Sequence, residues 1–203
     1  KCPQNARAHN NLAVELAADG DQPGALAELR EALRLQPDYA DAHNNLGNEL
    51  FRRGQTEAAI SQYEQALRLQ PDFVLALDNI GLALLQLGRF GEARGHYEHA
   101  LSLDRSDVSA HRNLAYIARR QGDLLGAAHH YEIAVRLDPN DFETQLNLGD
   151  TLMALQRPSE AVAPYLRATE LDGESGALRF NLALALARIG RRLLGSTLLG
   201  TTA

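Results

Sequence analysis

Residues 40–73 read "ADAHNNLGNELFRRGQTEAAISQYEQALRLQPDF", and this stretch decides the fold. Its pattern returns along the chain, beginning with Pro37 and Pro71, which lie 34 residues apart. The same step links the tyrosines Tyr63, Tyr97, Tyr131 and Tyr165, the alanines Ala25, Ala59, Ala93, Ala127 and Ala161, and the glycines Gly20, Gly54, Gly88, Gly122 and Gly190, with Gln156 as the exception. A fixed period of this length indicates one structural unit repeated along the chain.

Each unit is predicted to contain two helices, which in the second unit cover residues 40–53 and 56–69. Gly54 ends the first helix because glycine tolerates the left-handed conformation found at helix C-termini. Pro71 follows the second helix and prevents it from continuing. Gly47 is small where the two helices approach, and Tyr63 is expected to fill the space between repeats. Neither helix can bury its apolar face alone, so each unit depends on its neighbours.

The period and these residue types resemble the tetratricopeptide repeat, a helix–turn–helix unit. The resemblance implies an all-α tetratricopeptide-repeat solenoid, a right-handed superhelix of antiparallel helix pairs with about five full repeats and a partial sixth. The array is predicted over residues 1–190, with repeats at 6–39, 40–73, 74–107, 108–141, 142–175 and 176–190. Residues 191–203 align poorly with a second helix and are expected to form a degenerate cap helix or a tag-like tail.

Three residues depart from the repeat pattern. Arg105 and Gly173 replace the proline between repeats, and Gly173 is expected to loosen the junction between the fifth and sixth repeats. Pro164 lies inside the predicted second helix of the fifth repeat, where it removes a backbone hydrogen bond and is expected to kink or distort the helix.

Composition narrows the classes of function. The chain has 203 residues and a net charge of −6, whereas nucleic-acid binding usually needs a basic surface, so no nucleic-acid partner is predicted. A single cysteine, Cys2, excludes an internal disulfide framework. No run approaches the roughly 20 apolar residues of a membrane span, so no membrane contact is expected for this part of the protein.

The second asparagine of the "AHNNL" motif recurs in every repeat, at Asn11, Asn45, Asn79, Asn113, Asn147 and Asn181. Asparagine disfavours a helix interior by about 0.5–0.7 kcal/mol relative to alanine, so a complete row calls for a reason. The resemblance implies that this face of the first helix lines the concave groove of the superhelix. An amide offers the donors and acceptor that match a peptide bond, so the row can hold the backbone of an extended peptide.

A structural role for the row is equally open. Asparagine is common at this position in tetratricopeptide repeats, where it can hydrogen-bond across the interface between helices and fix their packing. The ligand-binding interpretation draws on a similar asparagine ladder in the repeat domain of O-linked N-acetylglucosamine transferase. The two roles can coexist.

Neighbouring groove positions vary between repeats and are expected to select side chains of the ligand. The predicted groove residues besides the row are Asn44, Asn48, Arg112 and Tyr116. Tyr116 with Arg112 and Arg119 makes the fourth repeat distinctive, since an aromatic ring beside guanidinium groups suits an acidic or aromatic side chain. The alternative is that these arginines form a solvated helix face.

No motif for catalysis, nucleotide binding or metal binding emerges. His96 with His99, and His129 with His130, are spaced as zinc ligands could be, but no carboxylate or cysteine completes a convincing set. His9, His43 and His111 are interpreted as packing residues. The chain is therefore predicted to be no enzyme, with no catalytic residue, no cofactor and no metal.

The predicted function is a non-catalytic protein–protein interaction module that binds an extended peptide or protein segment in its groove. One alternative is the substrate-recognition arm of a larger glycosyltransferase, which is allowed because the sequence starts at Lys1 and not at a methionine. A cytoplasmic location is expected for the arm, or a periplasmic one if that enzyme lies in a membrane. The other is a scaffold that self-associates as a homodimer through its C-terminal end.

Overall fold

The computed structural model describes residues 3–172 and 176–200, with side chains over residues 5–172 and 176–191. All regular secondary structure in these residues is α-helical. The chain forms two compact units, residues 1–107 and 108–203. The predictions for Gly173 and for residues 201–203 of the tail lie outside the described residues.

The described residues of the first unit form six helices in antiparallel pairs. They are α1 (Pro3–Ala18), α2 (Gln22–Leu35), α3 (Ala40–Arg52), α4 (Thr56–Leu69), α5 (Val74–Gln86) and α6 (Phe90–Leu103). Part of its core is a cluster in which Ala13, Leu29 and Leu46 pack together. The helices of the second repeat, α3 and α4, match the predicted bounds to within one residue.

In the second unit, residues 108–172 and 176–200 form five helices. They are α7 (Val108–Arg120), α8 (Leu124–Leu137), α9 (Phe142–Ala154), α10 (Pro158–Leu171) and α11 (Gly176–Gly200). Its core includes Ala115, Tyr131, Leu148 and Tyr165, which belong to one packed cluster. The helix α10 runs through Pro164, which is buried, and α11 continues through Gly190 to Gly200 rather than ending where the period places a helix stop.

Glycine ends the first helix of a repeat where the sequence predicts it. Gly20, Gly54, Gly88 and Gly122 adopt φ values of +84°, +74°, +74° and +83°. Gln156, which replaces glycine in the turn between α9 and α10, takes the same left-handed conformation with φ +58°. A side chain disfavours this conformation, so this turn carries a cost that the four glycine turns avoid.

In three repeats a glycine of the first helix lies against the ring of a tyrosine of the second. A Cβ atom added to Gly47 would lie 2.4 Å from Cε1 of Tyr63, and one added to Gly149 would lie 2.5 Å from Cε1 of Tyr165. Tyr63 is buried and its hydroxyl donates a 2.9 Å hydrogen bond to Asn48. Tyr63 therefore packs on Gly47 of its own repeat, a contact that adds to its expected role of filling the space between repeats.

Histidines near the start of the first helices hydrogen-bond to the second helix of the same repeat. Residues 19 positions apart pair as His9–Glu28 at 2.5 Å, His43–Gln62 at 2.8 Å and His111–His130 at 3.0 Å. These contacts place the three histidines in the packing between helices, as predicted. Burial, together with His111 and His129, lowers the pKa of His130 to about 4.

Gly47→Ala is predicted to destabilise the first unit. Alanine gains up to about 1 kcal/mol of helix propensity, but its Cβ must displace the buried ring of Tyr63, and such overpacking costs about 1–3 kcal/mol. Gly95→Ala is the matched control, because nothing lies within 4 Å of its added Cβ in α6, and it should stabilise. Chemical denaturation of both variants measures the difference, and an equal gain for both would contradict the packing argument.

His130→Gln is predicted to reduce the loss of stability in acid. In the folded chain the pKa of His130 is about 4, below the ordinary 6.5 of the unfolded chain. Between these two pH values the unfolded chain is protonated at this histidine and the folded chain is not, so acidification lowers the free energy of unfolding. Glutamine recreates the His43–Gln62 pair. Unfolding free energies measured between pH 7 and 4 should fall by about 1 kcal/mol less in the variant, since solvent screens this half-exposed site. Parallel curves would contradict the prediction.

Candidate functional site

The asparagine row occupies one position on the first helix of every repeat. Asn11, Asn45 and Asn79 lie on α1, α3 and α5 of the first unit, and Asn113, Asn147 and Asn181 lie on α7, α9 and α11 of the second. Asn11 is exposed and the other five are partly buried. We call this set the asparagine row.

In the first unit the row makes hydrogen bonds from one repeat to the next. The Nδ2 atom of Asn45 donates to Oδ1 of Asn10 over 2.9 Å, and Nδ2 of Asn79 donates to Oδ1 of Asn44 over 2.9 Å. Asn10 and Asn44 are each only 5% exposed. The two adjacent asparagines of "AHNNL" therefore have different roles, since the first is a buried acceptor and the second donates to the preceding repeat.

These bonds leave the row with capacity to bind a ligand. An amide carries two N–H donors and one carbonyl acceptor, and each contact to the preceding repeat uses one donor. Asn45 and Asn79 are partly exposed, whereas Asn44 is buried and its carbonyl oxygen already accepts a bond. The structure thus supports the structural role of the row without removing the predicted ligand-binding role.

In the second unit the row finds other partners, because Arg112 and Leu146 stand where the first unit has Asn10 and Asn44. The Oδ1 atom of Asn147 accepts a 2.9 Å bond from Arg119. Asn181 donates over 3.2 Å to Asp150, which also accepts a bond from the hydroxyl of Tyr165.

The remaining predicted groove residues fall into two groups. Asn44 and Asn48 are engaged inside the first unit, since Asn48 accepts the hydroxyl bond of Tyr63. In the second unit Arg112 forms an ion pair with Asp141 at 3.0 Å, while Tyr116 remains 41% exposed. Because Arg112 is already paired with a carboxylate, it is a weaker candidate for an acidic ligand group than its sequence context indicates.

Asp141, the partner of Arg112, has further contacts at the start of α9. Burial raises the pKa of Asp141, but hydrogen bonds from Thr144 and Arg112 together lower it by more than burial raises it. The pKa of this carboxyl therefore lies below its ordinary value. Asp141 also accepts bonds from the backbone N–H groups of Glu143 and Thr144 at the start of α9. It is therefore an ionised helix cap that Arg112 holds in place.

Three cavities follow one another along the row in the first unit. The largest, about 630 Å³, is lined by Arg7, Asn11, Tyr39 and Asn45 among others. Asn45 also lines a cavity of about 280 Å³, which in turn shares Asn48 and Arg52 with a third of about 200 Å³ that Asn79 borders. Because neighbouring cavities share lining residues, the three lie next to one another along the row, and we call this series of cavities the first-unit track.

The second unit has a separate cavity of about 470 Å³ beside Asn181. Its lining includes Arg119, Asp150, Tyr165 and Arg188. Burial and the hydrogen bond to Asp150 raise the pKa of Tyr165, so its hydroxyl stays a donor. This cavity offers guanidinium groups, a carboxylate and an amide within a single opening.

The sequence analysis missed the buried carboxylate of Glu49, which lines the 280 Å³ cavity. The 34-residue step gave a signal, because the first repeat has Glu15 at this position, whereas the later repeats have Ala83, Ile117, Thr151 and Ala185.

Among the described side chains of α11, two large apolar ones are exposed to solvent, Phe180 at 67% and Leu186 at 52%. Self-association through this end stays a prediction.

Metal and membrane sites were sought in the described residues. There, the histidines and acidic residues form no group of three or more that could hold a metal ion. No helix of the described part of the chain has the length and apolar character needed to cross a bilayer.

The repeat architecture matches known family descriptions over most of the chain. A family model described as "TPR repeat" matches residues 14–48 and 47–88, and one described as "Tetratricopeptide repeat" matches residues 79–142 and 146–191. The chain belongs to the tetratricopeptide-repeat family. The predicted all-α tetratricopeptide-repeat solenoid is confirmed, and the chain is of the class of protein-interaction modules, whose members are generally non-catalytic.

Solved structures share the fold at low sequence identity. A structure of PilF from Pseudomonas aeruginosa is 21% identical, covers 95% of this chain and 93% of that chain, and has a TM-score of 0.81. MamA from Desulfovibrio magneticus RS-1 is 20% identical over 85% and 97% of the two chains, with a TM-score of 0.73. YrrB, described as a TPR protein with an unusual peptide-binding site, is 22% identical over 84% and 87%, with a TM-score of 0.67. No curated protein sequence matches the chain.

Asn79→Ala is predicted to destabilise the first unit by about 1–3 kcal/mol, because it leaves the buried Oδ1 of Asn44 without its donor. Adding Asn44→Leu should recover much of this loss, since Leu146 occupies the equivalent position in the second unit. Denaturant titration of the single and double variants provides the test. A single variant as stable as the parent would show that the bond contributes nothing to the packing of α3 and α5.

Proposed function

We propose that this chain binds an extended segment of another protein along the asparagine row, and that the row holds the backbone of that segment. The observation that supports the proposal is the first-unit track, in which three neighbouring cavities are lined by residues of the row. An extended chain advances about 3.3–3.6 Å per residue, so alternate side chains can enter successive cavities.

The hydrogen-bonding capacity of the row fits a peptide backbone. Each amide that is bound to the preceding repeat keeps one N–H and a carbonyl face for the ligand, which matches the acceptor and donor of a peptide bond. The amides are also oriented before a ligand arrives, because the bonds to Asn10 and Asn44 fix their side chains. Such preorganisation lowers the entropic cost of binding.

The variable residues beside the row supply selectivity under this proposal. The first-unit track offers Tyr39, Val14 and Leu82, whereas the cavity of the second unit offers Arg119 and Arg188. The likeness to YrrB, whose description names a peptide-binding site, supports the same class of ligand. We assign no catalysis to this chain.

Asn11→Ala is predicted to weaken peptide binding without loss of stability. Asn11 is exposed and lines the largest cavity, and alanine is the better helix former. Binding is measured on an array of overlapping 15-residue peptides and then by fluorescence anisotropy on those retained, where we expect a 5- to 20-fold loss, a rough figure for one backbone hydrogen bond.

The control is Gln65→Ala on α4, which removes a side-chain amide from a position outside the asparagine row. N-methylation of the bound peptide, one residue at a time, tests the backbone contact directly. Equal affinity of parent and Asn11→Ala, together with indifference to N-methylation at every position, would refute the proposed role of the row.

A further inference from the structure

Glu49 is a buried acid at a position where the later repeats have small or apolar residues. Successive steps of 34 residues lead from Glu49 to Ala83, Ile117, Thr151 and Ala185, all of them buried. Glu49 itself is only 2% exposed. A carboxylate here costs desolvation energy that an apolar side chain would avoid, so its presence calls for a compensating contact.

Only part of that compensation comes from within the protein. The Oε1 atom of Glu49 pairs with Nη1 of Arg52, whose side chain is 52% exposed. The Oε2 atom is buried and has no hydrogen-bond partner among the described residues. A carboxylate has about four acceptor positions, so one oxygen remains to be satisfied.

Glu49 lines the central cavity of the first-unit track, of about 280 Å³. One wall is apolar and contains Ala13, Val14, Ala17 and Leu29, while Asn45, Asn48 and Arg52 border the other side. This combination suits a side chain with an aliphatic stem and a charged end, because such groups bury the stem on apolar surface and keep the charge on a polar partner.

The charge of the first unit favours a cation over an anion. Residues 1–107 contain 10 Lys and Arg against 16 Asp and Glu, whereas residues 108–203 contain 10 of each. The entire net charge of −6 therefore belongs to the first unit. A basic segment is attracted to this unit and an acidic one is repelled.

We propose that the central cavity binds a lysine side chain of the captured segment, with the ammonium group donating to Oε2 of Glu49. The butyl stem lies against Val14 and Leu29, and the Glu49 carboxylate rotates toward the cavity to present its second oxygen. Lysine fits better than arginine because Arg52 already holds one oxygen. A single oxygen suits the compact ammonium, whereas a guanidinium binds best to both oxygens at once. The proposal rests on the peptide-binding function above and adds the chemistry of one subsite.

The test uses the full chain and a positional-scanning library of fluorescein-labelled 11-residue peptides, in which one position is fixed as Lys, Arg, norleucine or Glu. Fluorescence anisotropy should show at least a tenfold preference for Lys over norleucine at one position, and a weaker response to Arg. Glu49→Gln should remove the preference. Glu98→Gln on α6, which deletes the same charge from an exposed residue of the same unit, should keep it.

Arg52→Gln gives a second, independent readout. It frees both oxygens of Glu49, so arginine should then bind as tightly as lysine, and this change of specificity requires no loss of binding. Circular dichroism checks the fold of each variant, and if Glu49→Gln does not fold, the Arg52→Gln arm decides.

Each remaining outcome overturns a defined part of the argument. Peptide binding without a lysine preference, a preference that survives in Glu49→Gln, or an unchanged Lys-to-Arg ratio in Arg52→Gln would overturn the lysine subsite while leaving the peptide-binding function. Absence of binding for every library peptide would overturn both.

Discussion

The structure depends on the close approach of two helices that cannot be stable separately. In a repeat, the ring of Tyr63 lies directly on the backbone of Gly47, where no Cβ fits without displacement. This contact fixes the distance between the helices and aligns their apolar faces. In both units, buried alanines recur every 34 residues. The position of the asparagine row follows from this geometry, because the contact determines which face of the first helix remains open.

The contact also shows how size is balanced within a repeat. In the first repeat Ala13 and Leu29 stand where the second has Gly47 and Tyr63, and in the fourth Ala115 stands opposite Tyr131. A larger residue on the first helix is thus accompanied, at least in the first repeat, by a smaller one on the second. Interiors at crystal-like density tolerate such paired changes better than single ones.

Much of the fold was predictable from the sequence because the signals are local and repeated. Glycine at a left-handed turn and apolar periodicity specify a helix pair without knowledge of distant residues, and the glycine turn occurs in four successive repeats. The candidate site was less predictable, because its contacts join positions 28 to 35 residues apart. The bond from Asn79 to Asn44 and the ion pair of Arg112 with Asp141 depend on which side chains face each other after stacking, and no local pattern encodes that. The buried state of Glu49 was similarly hidden, although its departure from the repeat was visible.

The asparagine bonds have a consequence for recombination between repeat proteins. A repeat moved as a whole carries its Gly47–Tyr63 contact with it, because both residues lie between the same two turns. The Asn44–Asn79 bond spans the boundary and is cut by the same exchange. A transplanted repeat that brings leucine to the acceptor position, as at Leu146, also has to bring another acceptor for the next amide, as Asp150 accepts from Asn181. Single repeats are therefore interchangeable in their packing but not in their hydrogen bonding. A compatible chimera has to match each asparagine to an acceptor in the repeat before it.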